Sequence, residues 1–210
     1  MEYVQEGVSM RLIKAILQVR FVVLVMALLS VVVAPASAQQ RIKITEGQVA
    51  PTPVAIAEFT NLDGEISDAG RQIAEIISND LLSSGLFEPI DSAAFISPPK
   101  SPAIRPDFTN WAPLGAKGLL VGSAEIDADG KLQVEFVLWD VITQRNITSG
   151  AGSASPDGLR QLAHKISDFV YEEFTGDSGY FDTQVVYVAE TGNQSRRVKR
   201  LAIMDQDGHN

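Results

Sequence analysis

Phe181-Asp182-Thr183-Gln184-Val185-Val186-Tyr187-Val188-Ala189-Glu190, followed by Arg197-Val198-Lys199-Arg200-Leu201-Ala202-Ile203-Met204-Asp205, decides how this chain is organised. Each stretch reads as a strand, and a polar turn from Thr191 to Arg196 joins them. In the first, Val185, Tyr187 and Ala189 alternate with Val186 and Val188, so both of its faces are apolar. The second carries Leu201, Ile203 and Met204 and runs into an Asp205-Gln206-Asp207-Gly208 turn. A lone two-stranded hairpin is marginal in water, and a strand apolar on both faces needs neighbours. The reading is therefore the opening of a larger β architecture, with the chain as the front part of a longer protein.

Upstream, residues 39–176 read as a separate α/β domain, with 177–210 as a linker and the unfinished β region. Val54 to Phe59 is a buried strand after Pro51 and Pro53. Ser67 or Asp68 caps a helix whose Ile73, Ile76, Ile77 and Leu81 share one stripe, and Gly85 stands where a C-cap belongs. Leu86 to Ile90 is a short strand. Five of the ten prolines fall between Ser97 and Pro113, which marks a loop, with Asp107 capping one short turn around Phe108 and Trp111. Gly118–Ile126 and Lys131–Asp140 form the clearest hairpin, joined through Asp127-Ala128-Asp129-Gly130. Arg145 to Ser153 is a third strand. Ser155 as N-cap and Pro156 at the first helical position open a second helix, with Leu159, Leu162, Ala163, Ile166, Phe169 and Val170 on its apolar face and Gly176 and Gly179 ending it. The expected fold class is α+β: a mixed β-sheet with two main helices packed on it, followed by the incomplete hairpin.

The front end reads as an export signal over residues 1–38. Arg11, Lys14 and Arg20 are basic, Phe21 to Val33 is apolar apart from Ser30, and Ala36-Ser37-Ala38 offers a cleavage site between Ala38 and Gln39. Met10 is a credible start. A membrane anchor is the competing reading, but Arg20 leaves a run well short of the ~20 residues that span a bilayer. Cleavage removes three basic and two acidic side chains, moving the formal charge from −9 to −10 and leaving 172 residues. So acidic a chain has no electrostatic footprint for nucleic acid and little attraction to anionic lipid. Cysteine is absent, which rules out thiolate metal sites and disulfides. A periplasmic protein without a membrane span is the expectation.

Chemistry-bearing constellations are few. The two histidines are His164, placed at the edge of the second helix's apolar stripe and read as a partly exposed structural residue, and His209 in the last turn. Any Ser-His-Asp triad would have to use one of them. Both Asp-x-Asp-Gly sequences resemble the start of a calcium loop but lack its Glu at the twelfth position, and both are explained as turns. Gly118 to Gly122 has no dinucleotide-binding spacing. Asn146-Ile147-Thr148 fits a glycosylation pattern, and Glu172-Glu173 reads as a solvated pair. This reading assigns no catalytic residue, cofactor or metal.

Several passages carry a family resemblance. Tyr180 to Glu190, and Lys199 to Gly208 with its Asp-Gly turn, resemble the entry into the first propeller blade of the TolB family. Ile56-Ala57-Glu58-Phe59, Asp80-Leu81-Leu82-Ser83-Ser84-Gly85-Leu86-Phe87 and Gly118-Leu119-Leu120-Val121-Gly122 are similar to its amino-terminal α/β domain. The resemblance implies that domain followed by a six-bladed β-propeller, of which only the first hairpin lies in this sequence.

It further implies a non-catalytic periplasmic adaptor of the Tol–Pal envelope system. The adaptor links inner-membrane TolA to outer-membrane Pal, with roles in outer-membrane integrity, cell division and bacteriocin or protein import. Pal would engage the propeller. The TolA C-terminal domain would engage the mature N-terminus by strand addition, at positions that match Gln39, Gln40, Arg41, Ile42, Lys43, Ile44, Thr45 and Glu46. The alternation of Arg41, Lys43 and Thr45 with Ile42 and Ile44 suits a strand that exchanges partners. The competing reading is an exported propeller hydrolase whose catalytic part lies beyond this sequence, with His209 an early member. A third is a small self-sufficient binding domain.

Overall fold

Both faces of the central strand are apolar, and that sets the layering. The computed structural model describes residues 50–209, so the segment 39–46, the cleavage point at Ala38 and the export signal lie outside the described residues. A five-stranded sheet is built from β1 (Thr52–Ile56), β2 (Phe87–Pro89), β3 (Gly118–Ile126), β4 (Leu132–Asp140) and β5 (Arg145–Ala154). Its order is β2-β1-β3-β4-β5. β1 pairs in parallel with β2 and with β3, whereas β3–β4 and β4–β5 are antiparallel. The sheet is thus mixed, as the sequence led us to expect. Helices α1 (Asp68–Ser83) and α2 (Leu159–Thr175) pack on one face. A separate antiparallel hairpin, β6 (Gln184–Thr191) and β7 (Val198–Asp205), follows. The expected fold class holds. No helix among the described residues is long and apolar enough to cross a membrane.

In β3, Leu120 and Ala124 meet the helices, while Leu119 and Val121 point the other way. The second face is covered by the proline-rich connection between β2 and β3. Phe108, Trp111 and Ala116 from that segment pack with Ala55, Leu119, Val121 and Val141 into a core of their own. Asp107 caps the short 3-10 turn Phe108–Asn110 by accepting a hydrogen bond from the Thr109 backbone N–H. So the segment read only as a loop is the lid of the sheet's second face.

Ser67 caps α1, its hydroxyl accepting from Gly70 N, and Gly85 adopts the left-handed φ of 70° just past the Ser84 C-cap. β1 ends three residues short of Phe59. The chain nevertheless keeps its backbone bonds to β3, with Ala57 N donating to Leu120 O (2.9 Å) and Thr60 N to Gly122 O (3.1 Å). At the second helix the start differs from expectation. Pro156–Gly158 forms a 3-10 turn, closed by Gly158 N donating to Ser155 O, and the α-helix proper begins at Leu159. The Ser155 hydroxyl makes no capping bond. Gly176 ends the helix with φ 77°, but Gly179 does not cap it.

Gly122 lies under the ring of the fully buried Phe59, and a Cβ built there would overlap that ring. Gly122→Ala is expected to cost about 1–3 kcal/mol through overpacking, read as a lower urea midpoint at unchanged slope. Wild-type stability would show that Phe59 has room to move.

Candidate functional site

A polar stripe on α2 joins the sheet-bound helices to the hairpin. Arg160, His164, Ser167 and Asp168 recur at helical spacing, so their side chains lie along one side of the helix. Across from them, Asp80 sits on the apolar face of α1 beside Ile73, Ile77 and Leu81 and is only 2% exposed. Its Oδ2 accepts a hydrogen bond from Ser167 Oγ and pairs with His164 Nδ1, both at 2.7 Å. His164 is 2% exposed and Ser167 wholly buried. A carboxylate in this place would be costly without such partners.

The network continues outward. His164 Nε2 lies 3.4 Å from Arg160 Nη2. Arg160 Nε meets Asp205 Oδ2 at 3.5 Å, at the end of β7, and its Nη2 pairs with Asp207 in the following turn. Asp207 Oδ1 in turn accepts from the His209 backbone N–H. A second clamp lies one helical turn along. Asp168 Oδ1 accepts from Phe181 N (2.7 Å) and its Oδ2 from Asp182 N (3.3 Å). Gly179 allows this, because a side chain there would collide with Asp168. Phe181 itself is fully buried in the helix-side core, against Tyr171. Between the helix start and the hairpin lies a polar cavity of about 480 Å³, with Arg160, His164, Gln184 and Asp205 in its wall.

The electrostatics follow from this placement. Burial pulls the His164 imidazole down, but its hydrogen bond to Asp80 and the charges of Asp80 and Asp207 outweigh that and leave it raised, with Arg160 opposing. Burial pushes Asp168 up against the two backbone N–H groups it accepts from, and burial prevails. At Asp207 burial also pushes upward, yet the His209 N–H and the Arg160 guanidinium win and hold it below the usual carboxylate range.

Serine, histidine and aspartate meet here, but not in the order nucleophilic catalysis needs. Ser167 donates to Asp80 rather than to His164, and it has no exposure to a substrate. One ligand atom each of Asp80, His164 and Asp207 lies within 4.8 Å of the other two, a spacing a divalent cation could bridge. The Arg160 guanidinium already stands among these groups and supplies the positive charge. The arrangement can carry force between elements, and it can hold or release a proton at His164.

The reading of His164 as a partly exposed residue is corrected: Asp80 gives it a buried partner. Asp80, Ser167, Arg160, Asp168, Asp205 and Asp207 were not singled out as a site. Asp80 left a signal, since it stands three residues after Ile77 on the stripe that Ile73, Ile77 and Leu81 define. His209 lies in the wall of the polar cavity and its backbone N–H is tied to Asp207. The Asp127 turn is closed by its own carboxylate, which accepts from Asp129 N and Lys131 N.

Comparison with known proteins gives consistent matches. The family model of the TolB amino-terminal domain matches residues 40–147. The Tol-Pal system protein TolB of Paramagnetospirillum magneticum is 47% identical over 178 residues, which cover 85% of this chain and 40% of that protein. The crystal structure of TolB from Acinetobacter baumannii superposes with a TM-score of 0.62 at 25% identity, covering 76% of this chain and 37% of that one. The chain therefore spans about two fifths of the length of the relatives it matches.

Proposed function

This chain belongs to the TolB family, and from that premise we propose that it serves as a non-catalytic, periplasmic component of a Tol–Pal envelope system. The observation that carries the reading is the 47% identity to a Tol-Pal system TolB over most of the chain. In the proposed scheme residues 1–38 direct export and are removed between Ala38 and Gln39. Residues 39–176 form the amino-terminal domain, and 177–210 lead into a β-propeller. The complete protein links TolA to Pal, with roles in outer-membrane integrity, division and protein import. The acidic charge and the absence of cysteine fit an exported protein that works through protein contacts. The geometry of Ser167 and Asp80 supports a structural rather than a catalytic use of the buried polar groups.

The proposed contact with TolA uses Gln39 to Glu46. A short segment with alternating apolar and polar residues can add to a sheet edge, its backbone giving affinity and its alternate side chains specificity. Deleting 39–46 is expected to abolish binding of the TolA C-terminal domain, measured by calorimetry, while leaving the thermal midpoint within a few degrees. Retained binding would overturn this assignment.

A further inference from the structure

The β6–β7 hairpin is held on the rest of the chain at two points. At its entry, Phe181 is buried and Asp168 clamps the Phe181 and Asp182 backbone. At its exit, Arg160 binds Asp205 and Asp207. Between these points the hairpin exposes Val186, Val188, Leu201 and Ile203, so apolar contact fixes its orientation only weakly. An element pinned at its entry turns about that point unless its exit is also held.

We propose that the Asp80–His164–Arg160 network is an acid-tightened latch for this exit: protonating His164 fastens the Asp205–Asp207 end of the hairpin to α2, and deprotonating it loosens the hairpin about Phe181. The charged groups facing His164 are Asp80 from α1, Arg160 from its own helix and Asp207 from the turn after the hairpin, with Asp205 reaching Arg160. Among these, three carboxylates face one guanidinium. A second positive charge at His164 therefore attracts Asp207, whose carboxylate lies within 4.8 Å of the imidazole.

Linkage makes the direction definite. Asp207 belongs to the hairpin end and raises the affinity of His164 for a proton only while that end is docked. Proton binding must then favour docking by the same factor. Because Asp207 is among the groups that raise His164, the tightening is present where the imidazole is protonated in both forms and is lost as pH rises through its raised, docked value. The His164 ring nitrogens pair with Asp80 and Arg160, so it acts on the hairpin as a positioning residue through Arg160 and Asp207.

The chain has no cysteine, so two introduced cysteines can be spin-labelled without competition. Gln72 on α1 and Asn193 at the hairpin tip are both exposed and suit this use. Pulsed EPR distances in the full chain carrying Gln72→Cys and Asn193→Cys should be narrow at pH 5.5. At pH 8.0 they should broaden, with the narrow, docked component losing population to the loosened one. His164→Gln should abolish the pH dependence and retain the broad form throughout. Asp207→Asn, which leaves the buried pair intact, should shrink the dependence. His209→Gln, which removes the neighbouring histidine, should leave it unchanged. Identical distributions at both pH values in the parent, a dependence that survives in His164→Gln, or one lost in His209→Gln would each overturn the latch.

Discussion

Asp80→Ala is expected to lower unfolding stability by about 3–5 kcal/mol, the range found when one partner of a buried pair is removed. The loss falls mainly on His164, which loses its buried carboxylate partner, whereas the Ser167 hydroxyl keeps the Ala163 carbonyl as an acceptor at 3.1 Å. His164 Nδ1 and Ser167 Oγ both point at Asp80 Oδ2, and both residues are almost fully buried. Arg160→Ala offers the contrast, since Arg160 keeps about a quarter of its side-chain surface exposed. Arg160 lies at the wall of the polar cavity, where water can solvate Asp205 and Asp207 once it is removed, so this variant should cost less than Asp80→Ala while freeing the hairpin. Urea unfolding of the two variants side by side checks the ranking. The wild type should also lose stability as pH rises through the raised His164 value, because the stabilising charge on the imidazole is then gone. Asp80→Ala should flatten that profile. A loss below about 1 kcal/mol would mean that the network relaxes onto water and is not the buried tie described above.

Phe181→Ala is expected to cost about 3–5 kcal/mol, the range for truncating a buried aromatic. Phe181 stands outside both strands, in the connection that leads from α2 to the hairpin, yet it is wholly buried in the helix-side core and meets Tyr171 edge-on. Its removal opens a cavity and also unseats the Asp168 clamp on the Phe181 and Asp182 N–H groups. A limited digest should accordingly show a new cut between Gly176 and Thr183. Leu201→Ala, on the exposed apolar face of the hairpin, should stay within about 0.5 kcal/mol of wild type. If the two variants behave alike, Phe181 is not the anchor of the hairpin.

What could be read from the sequence follows the physics of each element. The Gly118–Ile126 and Leu132–Asp140 hairpin was legible because an Asp-Gly turn joins a continuous apolar run to an alternating one, a signal local to about 20 residues. Ser67, Gly85 and the stripe of α1 were legible for the same reason. The start of α2 was not, because Pro156 fits a 3-10 turn as well as a first helical turn, and only tertiary packing chooses. Nor was the role of the proline-rich segment as a cover, since Phe108 and Trp111 carry no periodic pattern. The polar network was least legible of all. His164 and Asp80 are 84 residues apart, and sequence shows only that each stands near an apolar stripe. Their meeting depends on how α1 and α2 cross the sheet, which no local pattern encodes. Asp205 and Asp207 were explained so fully as turn residues that their second use, facing Arg160, left no separate trace.

Amide exchange across Gln39 to Glu46, measured with and without the TolA C-terminal domain, tests the proposed adaptor role most directly. A strand added to a sheet edge hydrogen-bonds along one side, so protection should appear on alternate residues of this segment and only when the partner is present. No protection in 39–46 on adding the partner, or protection that falls instead on the sheet or hairpin, would contradict the assignment of this segment as the binding strand.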